Sequence, residues 1–281
     1  MQFSKGHGTG NDFVILPDPD GRLQLAPTLV AALCDRRRGI GADGVLRVVR
    51  AARDPESAGA ADSAEWFMDY RNADGSLGDT CGNGLRVFVR YLIDAGLVGP
   101  GPAELPVVTR AGVVRARIGT EGISVDLGRP KVGGESTATV AGWRLSGVAV
   151  DCGNPHLVCR LPAGVELADL DLTRQPGFDA EDFPAGVNIE FVTAADPIGD
   201  ADAHLRMRVH ERGVGETMSC GSGACAVAAV AVRDAGRADG VVLVDVPGGR
   251  LTITLDDASC WLAGPAVLVA HGEVDPEALA A

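Results

Sequence analysis

The sequence predicts an α+β protein of two pseudo-symmetric domains, each a curved, mainly antiparallel β-sheet or barrel wrapped around a central α-helix. Three observations predict it. First, a cysteine with closely following glycines opens an apolar run twice, at Cys81-Gly82-Asn83-Gly84 and Cys220-Gly221-Ser222-Gly223. Second, other landmarks recur in the same order. Gly10-Asn11 matches Gly153-Asn154, Asp94-Ala95-Gly96 matches Asp234-Ala235-Gly236, and Ala111-Gly112 matches Gly248-Gly249. Third, short apolar stretches bounded by Gly, Pro, Asn and Asp fill the rest, which is the mark of strands and turns. Strands gathered on one helix, twice over, give the two-domain arrangement. The expected halves are 1–122 plus 265–281, carrying Cys81, and 123–264, carrying Cys220, with a strand at 266–270 crossing back to the first half.

The elements follow in order. Residues 12–16 read as a strand stopped by Pro17-Asp18-Pro19-Asp20-Gly21. Pro27 to Cys34 reads as a short helix with proline at its start. Arg36 to Arg38 reads as a solvated face. A strand at 45–49 precedes an Ala-, Asp- and Ser-rich stretch, 51–64, expected to be an exposed loop. The strand at 66–70 runs into the turn Asn72-Ala73-Asp74-Gly75. A helix from Gly82 to Ile93 puts Leu85, Phe88, Val89 and Leu92 on one face. Strands at 107–109 and 113–118 form a hairpin. The pattern then restarts: strands at 143–150, 156–161, 187–192 and 205–210, a helix after Cys220 to about Asp234, and a hairpin at 241–246 and 251–255. Residues 162–186 are irregular.

Composition narrows the function. The 281 residues are 46% hydrophobic and 22% charged, which is normal for a folded globular chain. A net charge of −13 argues against nucleic acid or an anionic membrane as partner. The opening residues contain no apolar core of signal-peptide length, and the longest apolar run, 224–232, is too short to span a bilayer. Seven cysteines, an odd number, do not make a disulfide scaffold, so the expected compartment is the reducing cytoplasm. There is no Cys-x-x-Cys, so no metal is expected. Lys5 and Lys131 are the only lysines, and neither sits in a phosphate loop. Pyridoxal phosphate, which needs a Schiff-base lysine, is therefore disfavoured, and no cofactor is expected.

A thiol at a helix start is expected to have a lowered pKa, because the helix dipole and the unpaired N–H groups stabilise the thiolate. Two such thiols on opposite sides of a substrate suit one reaction. One removes a proton from an α-carbon and the other returns a proton to the opposite face. N–H groups at the two Cys-Gly-x-Gly helix starts would hold a carboxylate and the charge developing on it. His156 and Glu211 are candidates to tune the thiols. Arg212 is a candidate carboxylate clamp, since its planar fork binds carboxylates with two bonds. Asn11, Asn72, Asn154 and Asn188 lie at turns or strand ends, where an amide can serve as turn residue or ligand. A thiol-based redox or metal-binding protein, using Cys81, Cys220 and Cys225, is the rival from another class.

Gly8-Thr9-Gly10-Asn11-Asp12-Phe13, Asn72-Ala73-Asp74-Gly75-Ser76, Cys81-Gly82-Asn83-Gly84, Gly153-Asn154-Pro155-His156, Val187-Asn188-Ile189 and Glu211-Arg212-Gly213 through Ala224 together resemble the diaminopimelate epimerase family. The resemblance runs nearly end to end. It implies interconversion of LL- and meso-2,6-diaminopimelate without pyridoxal phosphate, a step in lysine and peptidoglycan synthesis. It implies Cys81 and Cys220 as the acid/base pair and His156 and Glu211 as modulators. Asn11, Asn72, Gly82, Asn83, Asn154, Asn188, Glu211, Arg212, Gly221 and Ser222 would bind diaminopimelate, and a homodimer is expected. Two departures stand out: Gly44 lies where many members carry a substrate-contacting Gln, and 51–64 reads as an insertion.

Overall fold

The computed structural model describes residues 1–99, 103–119 and 122–280. The chain divides into two compact units, Met1–Val125 with Gly264–Ala281, and Asp126–Ala263. It runs β1 (Gln2–Gly8), β2 (Asn11–Pro17), α1 (Pro27–Cys34), β3 (Gly44–Arg50), β4 (Trp66–Asn72), α2 (Gly82–Asp94), β5 (Glu104–Thr109), β6 (Gly112–Gly119) and β7 (Gly122–Asp126). Then follow β8 (Lys131–Val140), β9 (Trp143–Asp151), β10 (Pro155–Arg160), β11 (Gly177–Phe178), β12 (Asn188–Ala194), β13 (Ala203–Glu211), β14 (Gly215–Thr217), α3 (Gly221–Asp234), β15 (Gly240–Val246), β16 (Gly249–Leu255), β17 (Cys260–Gly264) and β18 (Val267–Glu273).

The internal repeat is visible in the pairing of strands. In the first unit the strands lie in the order β18-β1-β2-β3-β4-β5-β6-β7. In the second they lie in the order β8-β9-β10-β12-β13-β15-β16-β17. Along both rows the pairings read antiparallel, antiparallel, parallel, antiparallel, parallel, antiparallel, antiparallel. A parallel pair needs a long crossover. In both units the second parallel pair is bridged by the long helix, α2 between β4 and β5 and α3 between β13 and β15.

Each helix is the centre of its unit. Helix α2 packs against β1, β2, β3, β4, β6 and β18, and α3 against β8, β9, β10, β12, β13, β15 and β16. A helix can touch that many strands only if the sheet curves around it. The sequence of α3 suits such a place: its Ala and Val residues from Ala224 to Val230 are all buried, and small side chains let the backbone sit close to a surrounding sheet. Both helices stop alike. Gly96 and Gly236 take positive φ, and the next N–H reaches back, Leu97 to the Leu92 carbonyl at 2.9 Å and Arg237 to Val232 at 3.0 Å. This is the Schellman closure, and it needs a residue tolerant of left-handed backbone.

Several expectations change. Stretch 51–64 is not simply an exposed loop. Asp54 binds the buried Arg47 at 2.8 Å, the Ser57 hydroxyl donates to the Ala51 carbonyl at 3.0 Å, and Ala51 and Ala64 join an apolar cluster with Val49, Phe67 and Val108. Arg47 also holds Asp18 at 2.8 Å and Asp69 at 3.3 Å, so this loop closes over a buried ion network. Strands β1, β7, β8, β11, β14 and β17 lie outside the expected set. In β8 a bulge between Val132 and Glu135, at Gly133-Gly134, breaks the alternation that marks a strand. β1 carries two glycines and little apolar alternation; it is held as a strand by β2 on one side and β18 on the other.

Candidate functional site

In the first unit the candidates gather at the N-terminal turn of α2. Cys81 is the N-cap, with extended backbone, and its sulfur accepts the Gly84 N–H at 3.4 Å. The thiol donates to Asn11 Oδ1 at 3.7 Å, and Asn83 Nδ2 donates to the same oxygen at 3.3 Å. Asn11 Nδ2 in turn donates to Asp43 at 2.8 Å. Behind Asp43 stands Arg36, which grips both Asp43 and Asp12 at 2.7 Å. Arg36 is therefore part of the support of Asn11 and not merely a solvated residue, unlike the exposed Arg37 and Arg38. Burial pushes the Asp12 carboxyl up, but Arg36 and Lys5 together overcome it and hold it down at about 2. Lys5 lies 2.6 Å from Asp12.

Arg86 was not anticipated. It is wholly buried on α2, and donates to Asn83 Oδ1 at 2.9 Å and to the Gly82 carbonyl at 3.4 Å. It thus fixes the two residues after the cysteine. The signal was its i+3 spacing from Asn83 within an otherwise apolar helix face.

Asn72 ends β4, where its amide donates to the Ser76 hydroxyl at 2.9 Å and its oxygen accepts the Tyr70 hydroxyl at 2.8 Å. The register Phe13↔Gly44↔Asn72 carries it across the sheet from β2, whose first residue is Asn11. Gly44 has no room for a side chain there: a Cβ would lie 2.5 Å from the Arg71 carbonyl and 2.8 Å from the Tyr70 ring. The Tyr70 ring takes the space beside the missing side chain.

In the second unit the same turn is built again. Cys220 is the N-cap of α3, and its sulfur accepts the Gly223 N–H at 3.4 Å. Ser222 Oγ is 3.5 Å from it. The surroundings differ from those of Cys81. Cys220 is buried, at 6% exposure, whereas Cys81 is half-buried. Burial first, and then Glu211, raise the Cys220 thiol well above its ordinary pKa, against the pull of Ser222 and the Gly223 N–H. The lowered pKa expected from a helix start is overturned here, because loss of water, with the Glu211 carboxyl beside the thiol, outweighs the helix end. Burial likewise raises Glu211, whose carboxyl accepts the Thr217 hydroxyl, against the pull of Thr217 and the nearby Cys220 thiol.

His156 lies in β10 with both ring nitrogens engaged: Nδ1 is 2.7 Å from Glu190 Oε1 and Nε2 is 3.0 Å from Asn154 Oδ1. Asn188 is its parallel-strand partner. The Asn188 amide donates to the Pro155 carbonyl at 3.0 Å, and its oxygen accepts the Arg212 backbone N–H at 3.0 Å. The Arg212 guanidinium is exposed and donates to the Ala185 carbonyl at 3.2 Å. Glu190 was not anticipated. Its signal was a carboxylate amid the apolar run of β12, Ile189-Glu190-Phe191-Val192.

Among the described residues no group of His, Cys, Asp and Glu side chains is arranged to hold a metal ion. Cys225, a metal or disulfide candidate in the rival reading, is wholly buried in α3, where Cys260 and burial together push its thiol well above its ordinary pKa. A cavity of about 410 Å³ lies between 61–65, Arg50, Ala52 and the start of β5, and none of the candidate residues lines it.

Comparison with known proteins supplies the rest. The sequence matches the diaminopimelate epimerase family over residues 3–133 and 148–274. It is 48% identical to the diaminopimelate epimerase of Mycolicibacterium smegmatis, covering 98% of this chain and 97% of that one. It is 50% identical to that of Thermobifida fusca, covering 99% and 100%. Among solved structures, a Bacillus anthracis phenazine biosynthesis protein of the PhzF family aligns with a TM-score of 0.71 at 18% identity, covering 98% of both chains. A probable proline racemase from Agrobacterium radiobacter aligns at 0.67 and 17%, covering 99% of this chain and 95% of that one. At such identities these two carry the fold alone.

Proposed function

Because the chain belongs to the diaminopimelate epimerase family, we propose that Cys81 and Cys220 are the two bases with which it interconverts LL- and meso-2,6-diaminopimelate. The activity is an isomerisation in lysine and peptidoglycan synthesis. The observation that supports this assignment is the duplicated cap: in each unit a cysteine sulfur accepts the N–H of the third residue of a glycine-opened central helix, at 3.4 Å in both. The reaction needs a proton removed from one face of an α-carbon and another delivered to the opposite face, and two like thiols meet that need in either direction.

The environments suggest the starting protonation. Cys220, with its raised pKa, begins as the neutral thiol and delivers the proton. Cys81 then acts as base on the LL-isomer, and the roles exchange on the return. The backbone N–H groups at the helix starts, Gly82-Asn83 and Gly221-Ser222, would stabilise negative charge on the α-carboxylate. Asn11, Asn72, Asn154, Asn188, Glu211 and Arg212 would hold the polar ends of the substrate. Glu211, whose carboxyl and the Cys220 thiol shift one another, would tune that thiol directly, and His156 would act through Asn154.

No helix among the described residues is long and apolar enough to cross a membrane. A cytoplasmic enzyme, active without a cofactor and working as a homodimer, fits this reading, and the net charge of −13 speaks against nucleic acid as a partner.

Incubation with LL-diaminopimelate in deuterium oxide tests the function. The expected product is the meso isomer with one deuterium at the inverted α-carbon. Absence of both inversion and exchange under reducing conditions would overturn it.

A further inference from the structure

The second unit hides a polar pair where the first has none. Strand register places Phe13 of β2 beside Gly44 of β3, and His156 of β10 beside Asn188 of β12. Two residues along, β3 carries Leu46 and β12 carries Glu190. Phe13 and Leu46 are wholly buried, and so are His156 and Glu190. Both pairs lie under the first turn of the central helix. A Cβ on Gly84 would stand 3.3 Å from Leu46 and 3.4 Å from Phe13, while a Cβ on Gly223 would stand 2.5 Å from Glu190 Oε1. The fold thus accepts two hydrocarbon side chains at this place. Burying a carboxyl and an imidazole there instead carries a desolvation cost that packing does not require.

The hydrogen bonds have a direction. Asn154 Oδ1 is an acceptor, so His156 Nε2, 3.0 Å away, carries a proton and donates it. His156 Nδ1 and Glu190 Oε1, 2.7 Å apart, then share one further proton. Glu190 Oε2 is buried and has no hydrogen-bond partner. A carboxylate would leave a charged oxygen bare in the interior, whereas a carboxylic acid leaves only a carbonyl oxygen, at far smaller cost. The shared proton therefore resides on Glu190, which donates to Nδ1 of a neutral imidazole. Burial pushes the carboxyl in the same direction, upward, although His156 and the residue's own backbone N–H pull against it.

We propose that Glu190 is a positioning residue for the epimerase reaction: as a buried neutral acid it heads a one-way donor chain, Glu190 to His156 to Asn154, that leaves the Asn154 amide N–H₂ to meet the substrate. The chain commits Asn154 to an acceptor, so the substrate group it meets is a carboxylate and not an ammonium. This rests on the assignment of Asn154 to the substrate site.

The test is ¹⁵N NMR of histidine-labelled protein, with the His156 signals assigned by their loss in His156→Gln. The expected result at neutral pH is a protonated Nε2 and an unprotonated Nδ1. A proton on Nδ1, in either tautomer or in an imidazolium, overturns the proposal. This readout needs no substrate, so it stands even if the protein fails to epimerise diaminopimelate. Two variants add a kinetic arm. Glu190→Gln can still donate to Nδ1 and should keep the tautomer and kcat/KM within about tenfold of the unaltered enzyme. Glu190→Leu copies the first unit's own solution at Leu46. It should fold, lose the fixed tautomer, and lower kcat/KM by a further factor of about ten, mostly through KM. Unchanged kcat/KM in Glu190→Leu, or equal losses in the two variants, would refute the donor chain.

Discussion

Beneath the first turn of α2 lie Phe13 and Leu46; beneath the first turn of α3 lie His156 and Glu190. The strand order, helix cap and helix closure around them are the same in both units. What the fold demands here is volume, since hydrocarbon satisfies it in one unit. At this position polarity stands in the second unit alone, next to the buried thiol. The difference teaches that two thiols in repeated frames are not chemically equivalent. Cys81 has neutral amides against its sulfur, from Asn11 and the Gly84 N–H, whereas Cys220 has the carboxyl groups of Glu211 and Glu190 close by.

The sharpest challenge to that comparison is replacement of each thiol. Cys81→Ser and Cys220→Ser should each lower epimerisation by about 10²–10⁴-fold, the usual worth of a general acid or base. Serine is a favoured N-cap, so each variant should keep its fold and its thermal midpoint. Near-normal turnover in either one would remove that cysteine from the mechanism.

A second contrast concerns ions. The first unit buries Arg47 among Asp18, Asp54 and Asp69. Removing one partner of such a network strands the others, so Arg47→Met should destabilise by about 3–5 kcal/mol in denaturant unfolding. A loss below about 1 kcal/mol would show that the carboxylates find water or other partners, Arg71 and Arg110 in the case of Asp69.

The helix glycines divide the same way. Gly223→Ala drives a Cβ into the Glu190 carboxyl and should cost about 1–3 kcal/mol. Gly84→Ala meets only tight apolar contacts and gains helix propensity of about 1 kcal/mol, so its net change should be within about 1 kcal/mol of zero. Equal effects in thermal unfolding would erase the distinction between the polar and apolar supports.

The smallest expected effect is at Asp12. Its folded pKa of about 2 lies below its ordinary value of 3.8, so it contributes stability above about pH 4 that disappears as pH falls through about 2. Asp12→Asn should cost about 1 kcal/mol at pH 7, after allowance for solvent screening, and nothing near pH 2. A loss independent of pH would mean that Asp12 acts through packing and not through charge.

Much of this was legible in the sequence because glycine, proline and cysteine punctuate it. The starts and stops of α2 and α3 follow from local chemistry, as caps and left-handed closures do. Glu211, nine residues before Cys220, was legible as a residue that could tune the thiol, but the weakened acidity of Cys220 was not, because its burial comes from strands distant in the chain. Glu190 was hidden by the same rule that found β12, which treats a run of Ile, Phe and Val as a strand and passes over the carboxylate inside it. Arg36 looked like one of three surface charges, and only the turn after α1 separates it from its neighbours. β8 was missed because its bulge interrupts the period of two.

The first strand of the chain completes its pairing only with the last. β18 pairs with β1 from Gln2↔Glu273 to His7↔Val267, and the amino terminus donates to the Val274 carbonyl at 2.7 Å. The second unit, Asp126–Ala263, is one continuous segment, whereas the first joins Met1–Val125 to Gly264–Ala281. The first therefore keeps its β1 edge open until β18, some 260 residues further along the chain, pairs with it, and closing so long a loop is the slow kind of contact to make.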